Sequence, residues 1–254
     1  MLIDSHCHIY LEEFDPDREA MIERALNCGV EKFIMPAIDA ETHESLLQAE
    51  KDFNGRAFAM MGLHPCSVKE NYLQELEIVK SYLEKRKFAA IGEIGLDYYW
   101  DTHFIEQQKD AMRRQIEWAL AYDLPIVIHS RNSTDDCIAL VKKYQHGKLS
   151  GVFHCFSGTA EQAQEIIDLG FFLGIGGVLT FKNAGLDKVI EHVPLENIIL
   201  ETDAPYLAPA PYRGKRNECS YIKLVADKLA VIKSVPVKVI EEITTANAKK
   251  LFHL

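Results

Sequence analysis

No C-x-x-C pair occurs among the six cysteines, at positions 7, 28, 66, 137, 155 and 219, so neither a zinc ribbon nor a thioredoxin-like redox motif is present. No apolar run approaches the roughly 20 residues that a bilayer crossing requires. Nor does a basic start lead into a short apolar segment, and a cytoplasmic protein with free thiols is expected. An excess of positive charge is also missing. The formal net charge is −10, which excludes broad, sequence-blind adhesion to nucleic acid or acidic membranes and leaves room only for a local basic patch. With no Gly/Ser-rich linker, low-complexity tract or exact internal repeat, one domain over residues 1–254 is expected, and nothing points to an obligate protein partner.

What is present is alternation. Short apolar runs at Leu2–Asp4, Lys32–Met35, Ala57–Met61, Phe88–Glu93, Pro125–His129, Gly151–His154, Phe171–Ile175 and Asn197–Glu201 read as strands. Helical patterns lie between them. Asp17–Asn27 places Ala20, Met21, Ala25 and Leu26 on one face, with Asp15-Pro16 as its start signal and Cys28-Gly29 as its stop. Gln107–Tyr122 and Glu161–Leu169 follow the same rule, and Tyr221–Leu254 reads as a helical segment packed on the outside. Eight βα units in this length predict a single-domain α/β fold, a (β/α)8 TIM barrel. A doubly wound open sheet would use fewer strands.

Polar residues of one chemical kind punctuate the strand ends. His6 and His8 share one face of an extended segment, because residues i and i+2 do. Glu93 ends AAIGE, His129 ends PIVIH, His154 ends GVFH, and Asp203 closes IILETD. In a parallel barrel the C-terminal strand ends converge on one mouth. Any one of these histidines alone reads more simply as a packing residue, as do His43, His103, His146, His192 and His253, none of which ends an apolar strand. Burying the whole set with nothing to bind would be very costly. Four imidazoles and two carboxylates exceed the needs of one tetrahedral ion and suit two divalent ions bridged by Glu93. The nitrogen and oxygen mixture favours Zn, Mn, Co or Ni over Mg alone. Cys7 and Cys155 alternate away from the ligands and read as packing.

D-S-H-C-H, G-E-I-G-L-D-Y, H-S-R, H-C-F-S-G and E-T-D-A-P, in this order from Ile3 onward, resemble the TatD family of metal-dependent deoxyribonucleases, within the amidohydrolase-like barrel superfamily. The resemblance implies a TIM barrel with paired metals on His6, His8, Glu93, His129, His154 and Asp203, and hydrolysis of phosphodiester bonds in DNA. One departure is Cys219 after Asn217-Glu218, where family members often carry Pro. Asp203 and Glu93 take the catalytic roles: Asp203 accepts a proton from the attacking water and Glu93 spaces the ions. Phosphate contacts are assigned to Arg213, Lys215 and Arg216 of PYRGKRNE, to Arg131 and His64, and to Ser157. Asp97 and Tyr98 are either supports of the site or the start of a loop; Tyr99 and Trp100 either stack on a base or cover the rim. The expected substrate is DNA, at ends or in single strands. The alternatives are a small-molecule amidohydrolase or phosphotriesterase-like hydrolase, many of which carry a modified lysine where Glu93 stands, and a non-catalytic metal-binding barrel.

Overall fold

Strand and helix alternate along the computed structural model, which describes residues 1–254. The strands are β1 (Leu2–Asp4), β2 (Val30–Met35), β3 (Ala57–Ala59), β4 (Ile91–Asp97), β5 (Ile126–Arg131), β6 (Gly151–Phe153), β7 (Phe172–Ile175) and β8 (Ile198–Leu200). Between and after them come α1 (Arg18–Asn27), α2 (His43–Asp52), α3 (Tyr72–Leu83), α4 (Ile105–Tyr122), α5 (Thr134–Tyr144), α6 (Ala160–Asp168), α7 (Leu186–His192), α8 (Ile222–Lys233) and α9 (Val237–Phe252). Every strand pair is parallel, in the order β1-β2-β3 and β4-β5-β6-β7-β8.

Backbone hydrogen bonds beyond the regular strands join these two groups into a ring. On one side Met61 pairs with Ile91, and the Gly92 N–H donates to the Met61 carbonyl at 3.1 Å. On the other, Cys7 pairs with Ala204, Ser5 N–H donates to Leu200 O at 3.1 Å and Asp203 N–H to His6 O at 2.9 Å. The expected (β/α)8 barrel is what the chain forms.

The barrel interior is apolar at the end where the strands begin. Ile3, Ile34, Met60, Ala90, Val127, Val152 and Ile199 pack there as one buried cluster. Ala248, Leu251 and Phe252 of α9 join the same cluster. This corrects the expectation of one outer helical segment after Tyr221. The segment breaks into α8 and α9, with Pro236 at the start of the second, and the end of α9 plugs the lower mouth with side chains too apolar to leave in water.

The start of α1 also differs. Asp15 closes a short turn at Glu12–Phe14 instead of capping the helix, and its carboxylate takes the Arg18 guanidinium at 2.6 Å. Asp17 stands at the cap position without a capping hydrogen bond, because its carboxylate is drawn to Arg24 and Arg216. At α6 Thr159 and Gln162 form a reciprocal capping box.

Candidate metal centre

At the upper mouth the polar strand ends converge. Glu93 is 2 % exposed and lies at the centre. Its Oε2 is 3.1 Å from His6 Nε2 and 3.9 Å from His8 Nε2. Its Oε1 is 2.9 Å from His129 Nδ1, 3.6 Å from His154 Nε2 and 3.4 Å from His64 Nε2. Asp203 Oδ1 closes the other side, 3.6 Å from His8 Nε2 and 3.8 Å from both His6 and His154 Nε2. Donor atoms thus fall into overlapping groups, each within 4.8 Å: His6, His8 and Asp203; His6, Glu93 and His154; and His64, Glu93 and His129. All six residues read from the sequence as ligands meet here, and His64 joins them.

The remaining nitrogen of most of these rings is already committed, which orients the ring. His129 Nε2 lies 2.8 Å from Asp97 Oδ2. His154 Nδ1 lies 2.9 Å from Glu201 Oε1 as an ion pair, without hydrogen-bond alignment. His8 Nδ1 lies 3.1 Å from the Tyr10 hydroxyl, which itself donates to the Pro36 carbonyl at 2.7 Å. With protons held toward Asp97 and Tyr10, the inner nitrogens of His129 and His8 present lone pairs to the centre, the tautomers a metal requires. His64 does two things at once: Nδ1 accepts the Cys66 N–H at 3.1 Å while Nε2 points at Glu93.

Charge in the site is balanced by the imidazoles. Burial works against an ionised Glu93, but His64, His6 and His154 outweigh it and hold the carboxyl well below its ordinary range. Asp203 is held down likewise, with burial overcome by His154 and His8. Burial lowers His154, yet Glu201, Glu93 and Asp203 overcome it and lift the ring to about 10. His129 rises to about 8 against burial because Asp97 and Glu93 hydrogen-bond to it. His6 goes down, from burial first and then from His154, stacked on it at 3.5 Å between ring centres. A cluster of carboxylates that draws protons this strongly onto adjacent imidazoles is one that a divalent cation satisfies better. The donor set therefore fits divalent ions of borderline hardness.

Two glycines keep the space open. A Cβ on Gly95, whose φ is +146°, would stand 2.0 Å from the His129 carbonyl. A Cβ on Gly174 would meet Glu201 Oε2 at 2.3 Å. Asp203 itself adopts φ +59°, a left-handed conformation uncommon for residues other than glycine.

The remaining sequence candidates scatter around the mouth. Arg131 is exposed, its guanidinium 3.8 Å over the Tyr99 ring and 5.3 Å from that of Trp100. Arg213 is exposed over Phe181 at 3.9 Å, and Lys215 and Ser157 are exposed on their loops. Arg216 faces elsewhere. Its guanidinium pairs with Asp17 at 2.7 Å and donates to the Glu13 carbonyl, clamping its loop to the start of α1. Cys7 and Cys219 are buried together beside Asp4, on the helix side of the barrel wall. Cys219 opens a short turn at Cys219–Tyr221.

Asp97 resolves as a support of the site, through His129. Glu201 was not singled out from the sequence. Its signal was its place two residues before Asp203 at the end of β8, where a strand would aim both carboxylates the same way.

A barrel with an inward-facing set of imidazoles and carboxylates at its C-terminal mouth defines the class of metal-dependent hydrolases. The chain matches the family model described as TatD related DNase over residues 3–253; it belongs to the TatD family. It is 39 % identical over 255 residues to an uncharacterized metal-dependent hydrolase, YabD, of Bacillus subtilis, covering 100 % of both chains. It is 30 % identical to a putative deoxyribonuclease, TATDN3, of Mus musculus, over 99 % of this chain and 88 % of that one. Among solved structures, the TatD homologue YjjV of Escherichia coli superposes with a TM-score of 0.94 at 33 % identity, covering 100 % of this chain and 98 % of that one. The protein is a metal-dependent hydrolase of this family.

Proposed function

We propose that the chain is a two-metal phosphodiesterase that hydrolyses DNA, at ends or in single strands. The observation that carries this reading is the division of labour at Glu93: one oxygen serves the His6 and His8 side, the other the His129 and His154 side. That is the layout of a bridging ligand between two ions. Divalent ions bound there supply Lewis acidity to a phosphate oxygen and bring the ionisation of water near neutral pH.

The chain's own residues do the rest. Asp203, facing both donor sets, accepts the proton of the attacking water. Glu93 fixes the spacing of the two sets. His64 Nε2, beside Glu93, is placed to donate to a phosphate or leaving oxygen. Arg131, Arg213 and Lys215, none of which has a carboxylate partner, are free to take neighbouring phosphates. In a chain of net charge −10, so few free cations at the mouth predict modest DNA affinity with a shallow salt dependence. The mouse relative's name supports the choice of polymer.

The test uses purified protein stripped by chelator and reloaded separately with Mg, Mn, Co, Zn or Ni, on end-labelled single- and double-stranded DNA. Hydrolysis that chelator abolishes, and that Asp203→Ala eliminates, is the expected result. Inactivity on every DNA form with every metal refutes it. Much faster turnover of a lactone, cyclic amide or phosphotriester transfers the reading to a small-molecule hydrolase.

A further inference from the structure

Two strongly exposed aromatic residues follow the strand that carries Glu93. Trp100 is 68 % and Tyr99 54 % exposed, immediately after β4. Their rings meet edge to face at 5.0 Å. Arg131, from the end of the adjacent β5, covers the Tyr99 ring, while Trp100 remains open to solvent.

This aromatic corner is tied to the site rather than loosely appended. Asp97 accepts the backbone N–H of Tyr99 at 2.9 Å and of Trp100 at 3.0 Å through Oδ1. Its Oδ2 takes His129 Nε2. One buried carboxylate thus fixes a candidate metal ligand and the aromatic turn together. Gln108 of α4 holds the same turn from behind, accepting the Asp97 N–H at 2.8 Å. A loop built only to cover the rim would turn its indole down onto the barrel.

Electrostatics select the side of the mouth that a polyanion can cross. On the β1 side, beyond Tyr10 and Tyr206, a groove of about 570 Å³ is lined by Glu12, Glu13, Asp15 and Glu41, with Arg18 the one cation. That side repels a phosphate chain. Arg131 on the β5 side and Arg213 with Lys215 after β8 carry no opposing carboxylate, so the chain's path runs over them.

We propose that Trp100, Tyr99 and Arg131 form a nucleobase-stacking subsite, in which Trp100 takes the base and Arg131 the phosphate of the nucleotide next to the bond being cleaved. The proposal rests on the phosphodiesterase reading above and narrows its substrate class. Away from a duplex end a base can lie on Trp100 only when it is unpaired, so the subsite favours single-stranded or frayed nucleic acid. Stacking accepts any base, so it adds affinity without sequence preference. It also sets a minimum substrate of two nucleotides, one on each side of the bond.

The chain has two tryptophans, and Trp118 on α4 is partly buried, so Trp118→Phe leaves Trp100 as the sole indole reporter. In metal-loaded protein of that background, rapid mixing with a short oligothymidylate should quench Trp100 emission before turnover, and an abasic strand of equal length should not. Trp100→Ala should cut the kcat/KM preference for the oligothymidylate over the abasic strand by about 10- to 100-fold, the range expected for one stacked base. Trp100→Phe should restore most of it. Turnover of DNA with unquenched Trp100 and an unchanged preference in Trp100→Ala overturns the subsite and leaves the phosphodiesterase reading standing. Failure of the metal-loaded protein to cleave any nucleic acid overturns that reading and the subsite with it.

Discussion

Replacing Glu201 by Gln removes one charge and almost no volume from a position 1 % exposed. Its Oε1 sits 2.9 Å from His154 Nδ1 and accepts the Cys155 N–H at 2.6 Å. Removing the charged outer partner of a metal-ligating histidine costs roughly 10- to 100-fold in metal affinity or activity. That factor corresponds to about 1.4–2.8 kcal/mol. Metal stabilises the fold by mass action, so at a fixed excess of metal Glu201→Gln forfeits about that much metal-dependent stability. For a chain of 254 residues, at about 2–4 °C per kcal/mol, the metal-induced rise in Tm shrinks by roughly 3–11 °C. The metal-free protein is affected too. There Glu201 is the largest of the charges that lift the buried His154 ring, so losing its charge breaks a buried ion pair and lowers the metal-free Tm as well. Calorimetry with and without chelator, beside metal titration of both proteins, separates the two effects. A metal-induced increment equal to wild type would show that Glu201 supports the fold rather than the candidate ligand His154.

Three further outcomes follow from particular contacts. Gly174→Ala drives a Cβ into Glu201 and should lower activity through His154 while costing about 1–3 kcal/mol as an overpacked site; wild-type turnover with wild-type Tm refutes the claimed lack of space. Hydrogen bonds from Arg216 and Arg24 pull Asp17 from 3.8 to about 2. A depressed carboxyl contributes stability above its unfolded pKa and loses it as pH falls through the folded one. Denaturant midpoints should therefore fall less steeply between pH 4 and pH 2 in Asp17→Asn than in wild type, and equal slopes count against the clamp. Alkylation mapped by mass spectrometry should label exposed Cys28 first and buried Cys7, Cys137 and Cys219 only on unfolding; early labelling of Cys7 contradicts its place behind the barrel wall.

The eight strands were legible because each is a short apolar run that both faces of a barrel wall bury. Ligand candidates were legible because imidazoles and carboxylates at the ends of such runs have few other reasons to be there. The supporting contacts were not. Whether His129 offers Nδ1 or Nε2 depends on which atom Asp97 reaches, and no spacing in sequence encodes that. Arg216 lies between Lys215 and Asn217 in one basic run, and only the packing of that loop against α1 turns it to Asp17. The plug at the lower mouth was hidden for a similar reason. Leu251 and Phe252 read as one apolar helix face, and nothing local tells an outer wall from a barrel end.

Alternation explains part of the site and its failure explains the rest. Val127 and Val152 point into the barrel, and His129 and His154 follow two residues later, in step. From Ile3, which also points inward, the same count would bring Ser5 and Cys7 to the centre and send His6 and His8 outward. The chain instead bends at Ser5 and His6, where Ser5 turns its hydroxyl onto the Leu200 carbonyl at 2.9 Å. The step slips by one residue, the two imidazoles face in, and Cys7 joins Asp4 and Cys219 outside. β4 slips too. Gly92 faces Val127 and Met60 of the interior, Glu93 follows it inward, and the pairing register shifts between Ile91 and Ile94. A regular barrel spaces its inward positions too evenly to crowd this many donors around one carboxylate. The breaks at β1 and β4 bring His6, His8 and Glu93 to the centre that β5, β6 and β8 reach from the other side.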